Sequence, residues 1–432
     1  MSKSKTITAI DVGTTKVFSL MANIVTDENV VTKPDIIATS SAPCNGLKKG
    51  NVEDIKLTSA AIKQTLQDLE SQTGIKAKSA YVGITGSHVN YENKRSALKD
   101  IGSHGVITPE ELSSTDFKPE SDDNRELLHA MPISYTLDGA DGIRNPIGMH
   151  SDAVSVDTHV ITADRAFLNK LTESCRGAGI NVDAFVMEPF ASALSTLTDK
   201  EREQGTLILD IGGGTTDIIG FKDNRVIYTG VVPVGGYQFT NDIAYTYDST
   251  HESAEKAKME HGHTELTAIE ISKNITLTSN EECQTTEVPA RDIGRLLRER
   301  SIELAQLVQL KLEELHMDNS DAMRVVVTGG GSKLPGISHL FQRYLGRRVR
   351  LGAPSVSWSN KFDDLNDPSQ ATILGILIWA HSHLQDKSEI NDKNTMHSNT
   401  KNKLIQKLLI SHKSFRLSPW IRPTAQRINN LS

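Results

Sequence analysis

Three short stretches of this chain combine carboxylates, glycines and hydroxyls in an order suited to holding phosphate. The first is Ile10-Asp11-Val12-Gly13-Thr14-Thr15-Lys16, after an apolar strand-like run from Thr6. Glycine lets the turn close, and successive backbone N–H groups with the two threonine hydroxyls can cradle an anion. Lys16 can neutralise charge on the outer phosphates. Asp11, at the strand end, can reach a magnesium ion through water, the mode that ion favours. Taken alone, the pattern equally describes a tight hairpin stabilised by Asp and Thr.

The second stretch is Asp210-Ile211-Gly212-Gly213-Gly214-Thr215-Thr216-Asp217. A bend needs one glycine, and three in a row cost backbone entropy, so close approach of a ligand to the backbone is the natural reason for them. Asp210 is the second candidate for magnesium held through water. The third stretch runs Val325-Val326-Val327-Thr328-Gly329-Gly330-Gly331-Ser332, a β-branched strand that enters glycines with a helix starting near Gly336. It suits packing of a flat adenine and ribose against bare backbone, although by itself it could be any strand–helix turn. Neither a Walker A lysine loop nor a GxGxxG dinucleotide fingerprint is present.

The elements that must carry these loops repeat. Residues 6–12 read as a buried strand, the turn at Gly13 follows, and Val17 to Ile24 returns as a hairpin. Residues 53–73 have helical apolar spacing, with Gly74 as the stop. Ala80 to Ile84 is a strand, and 164–179 and 187–197 read as helices. The second half opens the same way, with a strand at 206–211, the glycine loop, and strands at 218–222 and 225–232. Helical stretches follow at about 237–260 and 290–314, then the strand and glycine turn at 325–331. Two halves that each open on strand–Asp–x–Gly hairpins point to an internal duplication. Between them, 86–162 changes texture to strands such as Val154 to Ile161 among polar loops, and reads as a small inserted domain.

Composition sets the outer bounds. The chain has 432 residues, 37% hydrophobic and 23% charged, enough for two or three domains with folded cores. Cys44, Cys175 and Cys283 stand far apart, which argues against a disulfide framework or a zinc site and fits a reducing cytoplasm. Apolar runs such as 373–380 are far shorter than the roughly 20 residues a spanning helix needs. The net charge is −7, yet after Asp392 no acid occurs and eight Lys and Arg do. An acidic body with a basic tail suggests a tail that seeks an anionic surface.

Three glycine loops in this order and context resemble the actin, sugar-kinase and heat-shock chaperone ATPase superfamily. Within it the chain is similar to the FtsA family of bacterial division proteins. The similarity lies in GLKKGNVEDI (46–55), VGITGSHV (82–89), GIRNPIGM (142–149), MEPFASAL (187–194), LDIGGGTTDI (209–218), VPVGGYQFTNDIA (232–244), VTGGGSKLPGI (327–337) and DPSQATILGI (367–376). The resemblance implies an α/β, actin-like duplicated ATPase fold, two RNase H-like domains clamping nucleotide, with an inserted small α+β domain. The expected domains are 1–85 with 163–204, the insert 86–162, the second actin-like domain 205–385, a flexible linker 386–400 and a membrane-targeting tail 401–432.

By position, the resemblance implies Asp11, Gly13, Thr14, Thr15 and Lys16 as the first phosphate loop and Asp210 with Gly212, Gly213, Gly214, Thr215 and Thr216 as the second. Gly329, Gly330, Gly331 and Ser332 would face the adenosine. Glu255 and Lys258 match a helix that borders the nucleoside, although charges at i and i+3 are also the ordinary solvated face of a helix. Glu188, before Pro189, is similar in place to a residue that orients attacking water, although a helix-start Glu also suits the helix dipole.

The family's tail is an amphipathic helix on the inner membrane face. Here Leu404, Ile405, Leu408, Leu409, His412 and Phe415 make an apolar stripe, with Lys403, Lys407 and Lys413 beside it and Trp420 as an interfacial ring. Pro419, Pro423 and the extension to Ser432 depart from the family pattern. The expectation is an ATP- and Mg2+-binding protein, a weak ATPase at most, peripheral on the cytoplasmic side of the membrane at the septum. It would self-associate into filaments, tether FtsZ and meet other division proteins and anionic lipid, but not nucleic acid. Against it stand a protein that binds ATP without hydrolysing it, a chaperone, a small-molecule kinase and a pilus-assembly actin homologue. The chaperone would need a large β domain after the ATPase, and the kinase a catalytic Asp beside a sugar pocket.

Overall fold

A computed structural model describes residues 3–27, 30–31, 34–98, 106–114, 124–280, 284–314, 323–355 and 362–396. Two sheets of like construction form the body. In the first, strands Lys3–Val12 and Lys16–Asp27 make an antiparallel hairpin in which Val12 faces Val17. Strand Ser79–Ile84 then pairs in parallel with Lys3–Val12, and Asn181–Met187 in parallel with Ser79–Ile84. In the second, strands Thr206–Ile211 and Thr216–Lys222 make the matching hairpin, with Ile211 facing Thr216. Strand Arg324–Thr328 pairs in parallel with Thr206–Ile211. Both hairpins therefore leave four residues at the tip, and Asp11 and Asp210 occupy the same register step.

The strands of both hairpins are apolar on both faces because helices cover each sheet. Helix Ile55–Thr73 buries Ile62 and Leu69 beneath the first sheet. It is capped by Asp54, which accepts from Leu57 N, and stopped by left-handed Gly74. Helix Ala290–Glu314 buries Ile293, Leu297, Leu304 and Val308 beneath the second. Strand Asn181–Met187 lies where the spacing predicts only the gap between two helices. Its first residues are exposed or half-buried, and its length gives periodicity little to register.

The insert is a four-stranded antiparallel sheet in the order Ala140–Ile143, Arg125–Leu137, Val154–Asp164, Val89–Leu98, with the short helix Pro109–Ser114. It has a small core of its own around Ile107, Leu112, Tyr135, Leu137, Val154 and Val156.

Two boundaries expected from the sequence need correction. Helix Ala371–Met396 follows the second half in the chain, but Ile373, Leu374, Ile376, Leu377 and Trp379 bury in a core shared with Ile10, Val82, Val186 and Phe190 of the first half. The C-terminal part of the span 205–385 thus packs with the first domain. The helix also runs through Met396, into the expected linker 386–400. No glycine or proline interrupts 385–396, so nothing in the backbone chemistry stops the helix where the composition turns polar. The tail residues Leu404, Ile405, Leu408, Leu409, Phe415 and Trp420 lie outside the described residues. Among the described residues, no helix is long and apolar enough to cross a membrane.

Candidate nucleotide site

The two hairpin tips meet. Gly13 N donates to Lys16 O at 3.0 Å and Gly212 N to Thr215 O at 2.9 Å, so each tip closes by the same bond. The tips then abut glycine to threonine. A β-carbon on Gly213 would lie 2.9 Å from Thr15 Oγ1, and one on Gly214 3.0 Å from Thr14 Cβ. Only glycine lets the second loop come this close to the first. Behind the second loop, Gly236 N donates to Gly212 O at 2.8 Å and Tyr237 N to Gly213 O at 2.7 Å, which fixes its carbonyls away from the cleft.

The third loop packs on the second. Gly329 has φ +83°, and a β-carbon there would lie 2.6 Å from Ile211 O. Ser332 Oγ donates to Gly329 O at 2.7 Å and holds the turn. Glu255 and Lys258 reach the same place from helix His251–His261. Lys258 Nζ donates to Gly236 O at 3.1 Å, Thr240 Oγ1 at 2.8 Å and Glu255 Oε2 at 2.7 Å. The pair buttresses the helix start behind the second loop and is not merely a solvated face. Lys16 lies with Nζ 5.6 Å from the centre of the Phe18 ring.

Beneath the loops four carboxylates crowd together. Asp210 is 5% exposed and Asp217 3%, while Asp11 and Glu188 are half-buried. Asp210 accepts from Ser192 Oγ, and from Thr372 Oγ1 at 3.2 Å. Asp217 accepts from Thr85 Oγ1 at 2.6 Å, a bond that joins the two halves. Burial pushes the Asp11 carboxyl up to about 7, with Lys16 opposing and the Asp210 charge adding to the rise. Burial, then the charges of Asp11, Asp217 and Asp210, pushes Glu188 well above the usual carboxylate range. Asp210 and Asp217 are raised chiefly by burial too, against the hydroxyls that donate to them.

A pH prediction follows for the protein without nucleotide or divalent ion. A carboxyl raised in the folded state keeps its proton while the unfolded chain releases one, so stability falls as pH rises above the ordinary value of 4.5. Glu188→Gln removes that penalty. In EDTA the variant should melt above the parent at pH 8, and the gap should close as pH falls toward 4.5. Thermal unfolding followed at several pH values checks this; a gap that does not change with pH would contradict it.

The structure thus brings Asp11, Gly13, Thr14, Thr15, Asp210, Gly212 to Thr216, Gly329 to Ser332, Glu255, Lys258 and Glu188 around one cleft. Sequence reading missed Asp217 as a site residue, and with it Thr85, Ser192 and Thr372. Their signal was present in LDIGGGTTDI, VGITGSHV, MEPFASAL and DPSQATILGI, where a hydroxyl sits in an otherwise apolar run. Pairing the hydroxyls with the aspartates required the fold. Among the described residues, no three His, Cys, Asp or Glu are grouped so as to hold one metal ion.

Fold and cleft define the class: an α/β, actin-like ATPase fold carrying an inserted domain. Its backbone resembles that of PilM in the structure titled PilM-PilN type IV pilus biogenesis complex, with a TM-score of 0.61 at 17% identity over 86% of this chain and 97% of that one. It also resembles MreB5 of Spiroplasma citri, described as bound to ADP, with a TM-score of 0.51 at 16% identity over 89% and 98%. The family described as Cell division protein FtsA matches residues 207–375, and the SHS2 domain inserted in FTSA matches 86–162. Cell division protein FtsA of Pseudomonas aeruginosa is 29% identical over 90% of this chain and 92% of its own length. That of Escherichia coli K12 is 27% identical over 90% and 94%. The chain belongs to the FtsA family of cell division proteins.

Proposed function

We propose that this protein binds Mg2+-ATP between its two halves and uses it to switch self-assembly on the cytoplasmic face of the cell membrane, where it tethers FtsZ polymers at the septum. The observation that carries the reading is the abutment of two equivalent glycine–threonine tips above the buried aspartates. N–H groups and hydroxyls at the tips suit phosphate, and the third loop leaves bare backbone for the nucleoside. Asp11 and Asp210, one from each hairpin, would hold magnesium through its water shell and not by direct ligation. The ion would supply charge neutralisation on the phosphates.

Glu188 lies at the start of helix Glu188–Thr196, among the aspartates. Its raised affinity for a proton suits a group that takes one from a water molecule. The ionised form would be required, so turnover would be slow at neutral pH and the nucleotide would serve mainly as a switch. Basic residues of the tail, each adding about 1 kcal/mol near an anionic surface, would support docking of its apolar stripe.

The test pairs binding with turnover. The parent should bind Mg2+-ATP by calorimetric titration, and Glu188→Gln should bind it within about threefold while releasing phosphate roughly tenfold or more slower. Absence of binding by the parent would overturn the reading of the cleft. Unchanged phosphate release by the variant would remove Glu188 from catalysis.

A further inference from the structure

A two-strand hairpin, Leu47–Lys48 with Asn51–Val52, stands where the phosphate loops and the insert come together. Its tip residues Lys49 and Gly50 are left-handed, at φ +49° and +79°. Gly50 N donates to Thr14 Oγ1 at 3.3 Å, which leaves the Thr14 hydroxyl proton free to point into the cleft. The Lys49 backbone backs the second loop, since a β-carbon on Gly214 would lie 3.1 Å from Lys49 Cα. On its other side Gly50 touches the first strand's neighbour, where its own β-carbon would lie 2.8 Å from Thr85 O and 2.9 Å from Gly86 Cα. The tip therefore contacts both phosphate loops and the segment leading into the insert.

From there the contact continues through Asn51. His88 Nδ1 and Asn51 Oδ1 are 2.8 Å apart, and Asn51 Nδ2 faces Ser87 Oγ at 3.4 Å. The amide oxygen is thus the acceptor and Nδ1–H the donor. The imidazole is 8% exposed and stacks on Phe167 at 4.8 Å. Its Nε2 is buried with no partner among the described residues, beside a small cavity that Asn51, Thr85 and Glu188 also line. The backbone of His88 is the root of the insert. Its carbonyl accepts from Asp164 N at 3.2 Å and from Arg125 Nη2 at 3.0 Å, so strands Val89–Leu98, Arg125–Leu137 and Val154–Asp164 all converge on it.

We infer that the hairpin Leu47–Val52 is the element through which the phosphate loops and the inserted domain sense one another, with Asn51 and His88 as its positioning residues. The inference rests on the proposal that nucleotide occupies the cleft. A ligand that accepts the Thr14 hydroxyl proton fixes the rotamer of Thr14 and so the position of the oxygen to which Gly50 N–H donates. The tip has little slack to absorb that change, because it is held against the backbones of Gly214 and Thr85–Gly86 and against the Thr14 hydroxyl. Coupling of this kind travels through contiguous packed groups and must be shown by its energetic signature.

The test is amide hydrogen exchange at residues 89–98 and 154–164 of the full chain, with and without Mg2+-ATP, beside a separate measurement of ATP affinity. In the parent, ATP should slow exchange there by about threefold or more. Asn51→Leu and His88→Phe each remove the same hydrogen bond, and the second keeps the stack on Phe167. Both should bind ATP within about threefold of the parent yet lose most of the response, and the double variant should be no worse than either single one. Asn51→Asp keeps the acceptor and should keep the response. A parent that binds ATP with no change in the insert overturns the relay alone, and so do variants that respond like the parent, or a loss in Asn51→Asp equal to that in Asn51→Leu. A parent that binds no ATP overturns the relay together with the reading beneath it.

Discussion

Replacing Gly214 with alanine is expected to abolish ATP binding while the two halves still fold. The new β-carbon would collide with the Thr14 hydroxyl, and behind that hydroxyl stand Thr14 Cβ at 3.0 Å and Lys49 Cα at 3.1 Å. Rotating Thr14 away does not help, since its β-carbon and the Lys49 backbone stay where they are. The tips must shift against one another, which displaces the N–H groups and hydroxyls that would hold the phosphates from both loops. A loss of at least about 100-fold in affinity, near 2.7 kcal/mol, is the expected scale when several charge-assisted bonds are misplaced together. Calorimetric titration measures it directly. Neither half's buried core lies at the tips, so the melting temperature should move little.

The second large effect concerns stability. Gly375 lies in the second turn of helix Ala371–Met396, where alanine would ordinarily be favoured by about 1 kcal/mol. Here the helix meets helix Glu188–Thr196 so closely that a β-carbon would penetrate the backbone of Ala191, with Ala191 Cα only 2.7 Å away. Small residues line the contact: Ser195 Oγ donates to Ala371 O at 2.7 Å, and the hydroxyls of Ser192 and Thr372 are 3.0 Å apart. Backbone cannot yield as a flexible side chain can, so the overpacking cost, about 3 kcal/mol or more, outweighs the propensity gain. Gly375→Ala should melt about 6 °C or more below the parent. Because Ser192 and Thr372 also donate to Asp210, the same change should weaken ATP binding as a secondary effect.

That coupling shows what could and could not be read from the residues in order. The two hairpins and their glycine tips were legible because buried β-branched strands and glycine runs are local signals. Helix 290–314 was legible because its apolar spacing holds over seven turns. The strand Asn181–Met187 was not, since its few residues carry no sustained period. The return of residues 362–384 to the first half was hidden for a different reason: which sheet an apolar helix covers is decided by packing, and Trp379 would suit either core. The site divided along the same line. Asp11 and Asp210 were visible from their loops. Thr85, Ser192 and Thr372 became site residues only when the fold brought hydroxyls from distant segments onto two buried carboxylates.

The measurement that most directly tests the account is co-sedimentation of FtsZ with liposomes containing anionic lipid, in the presence of this protein, with and without Mg2+-ATP. The account predicts that FtsZ enters the lipid pellet when the full chain and ATP are both present. The amount should fall severalfold without ATP, with the Gly214→Ala variant, or with a chain lacking residues 401–432. Equal FtsZ in the lipid pellet with and without ATP would contradict the nucleotide switch, and equal pelleting by the shortened chain would contradict the tail as the membrane anchor.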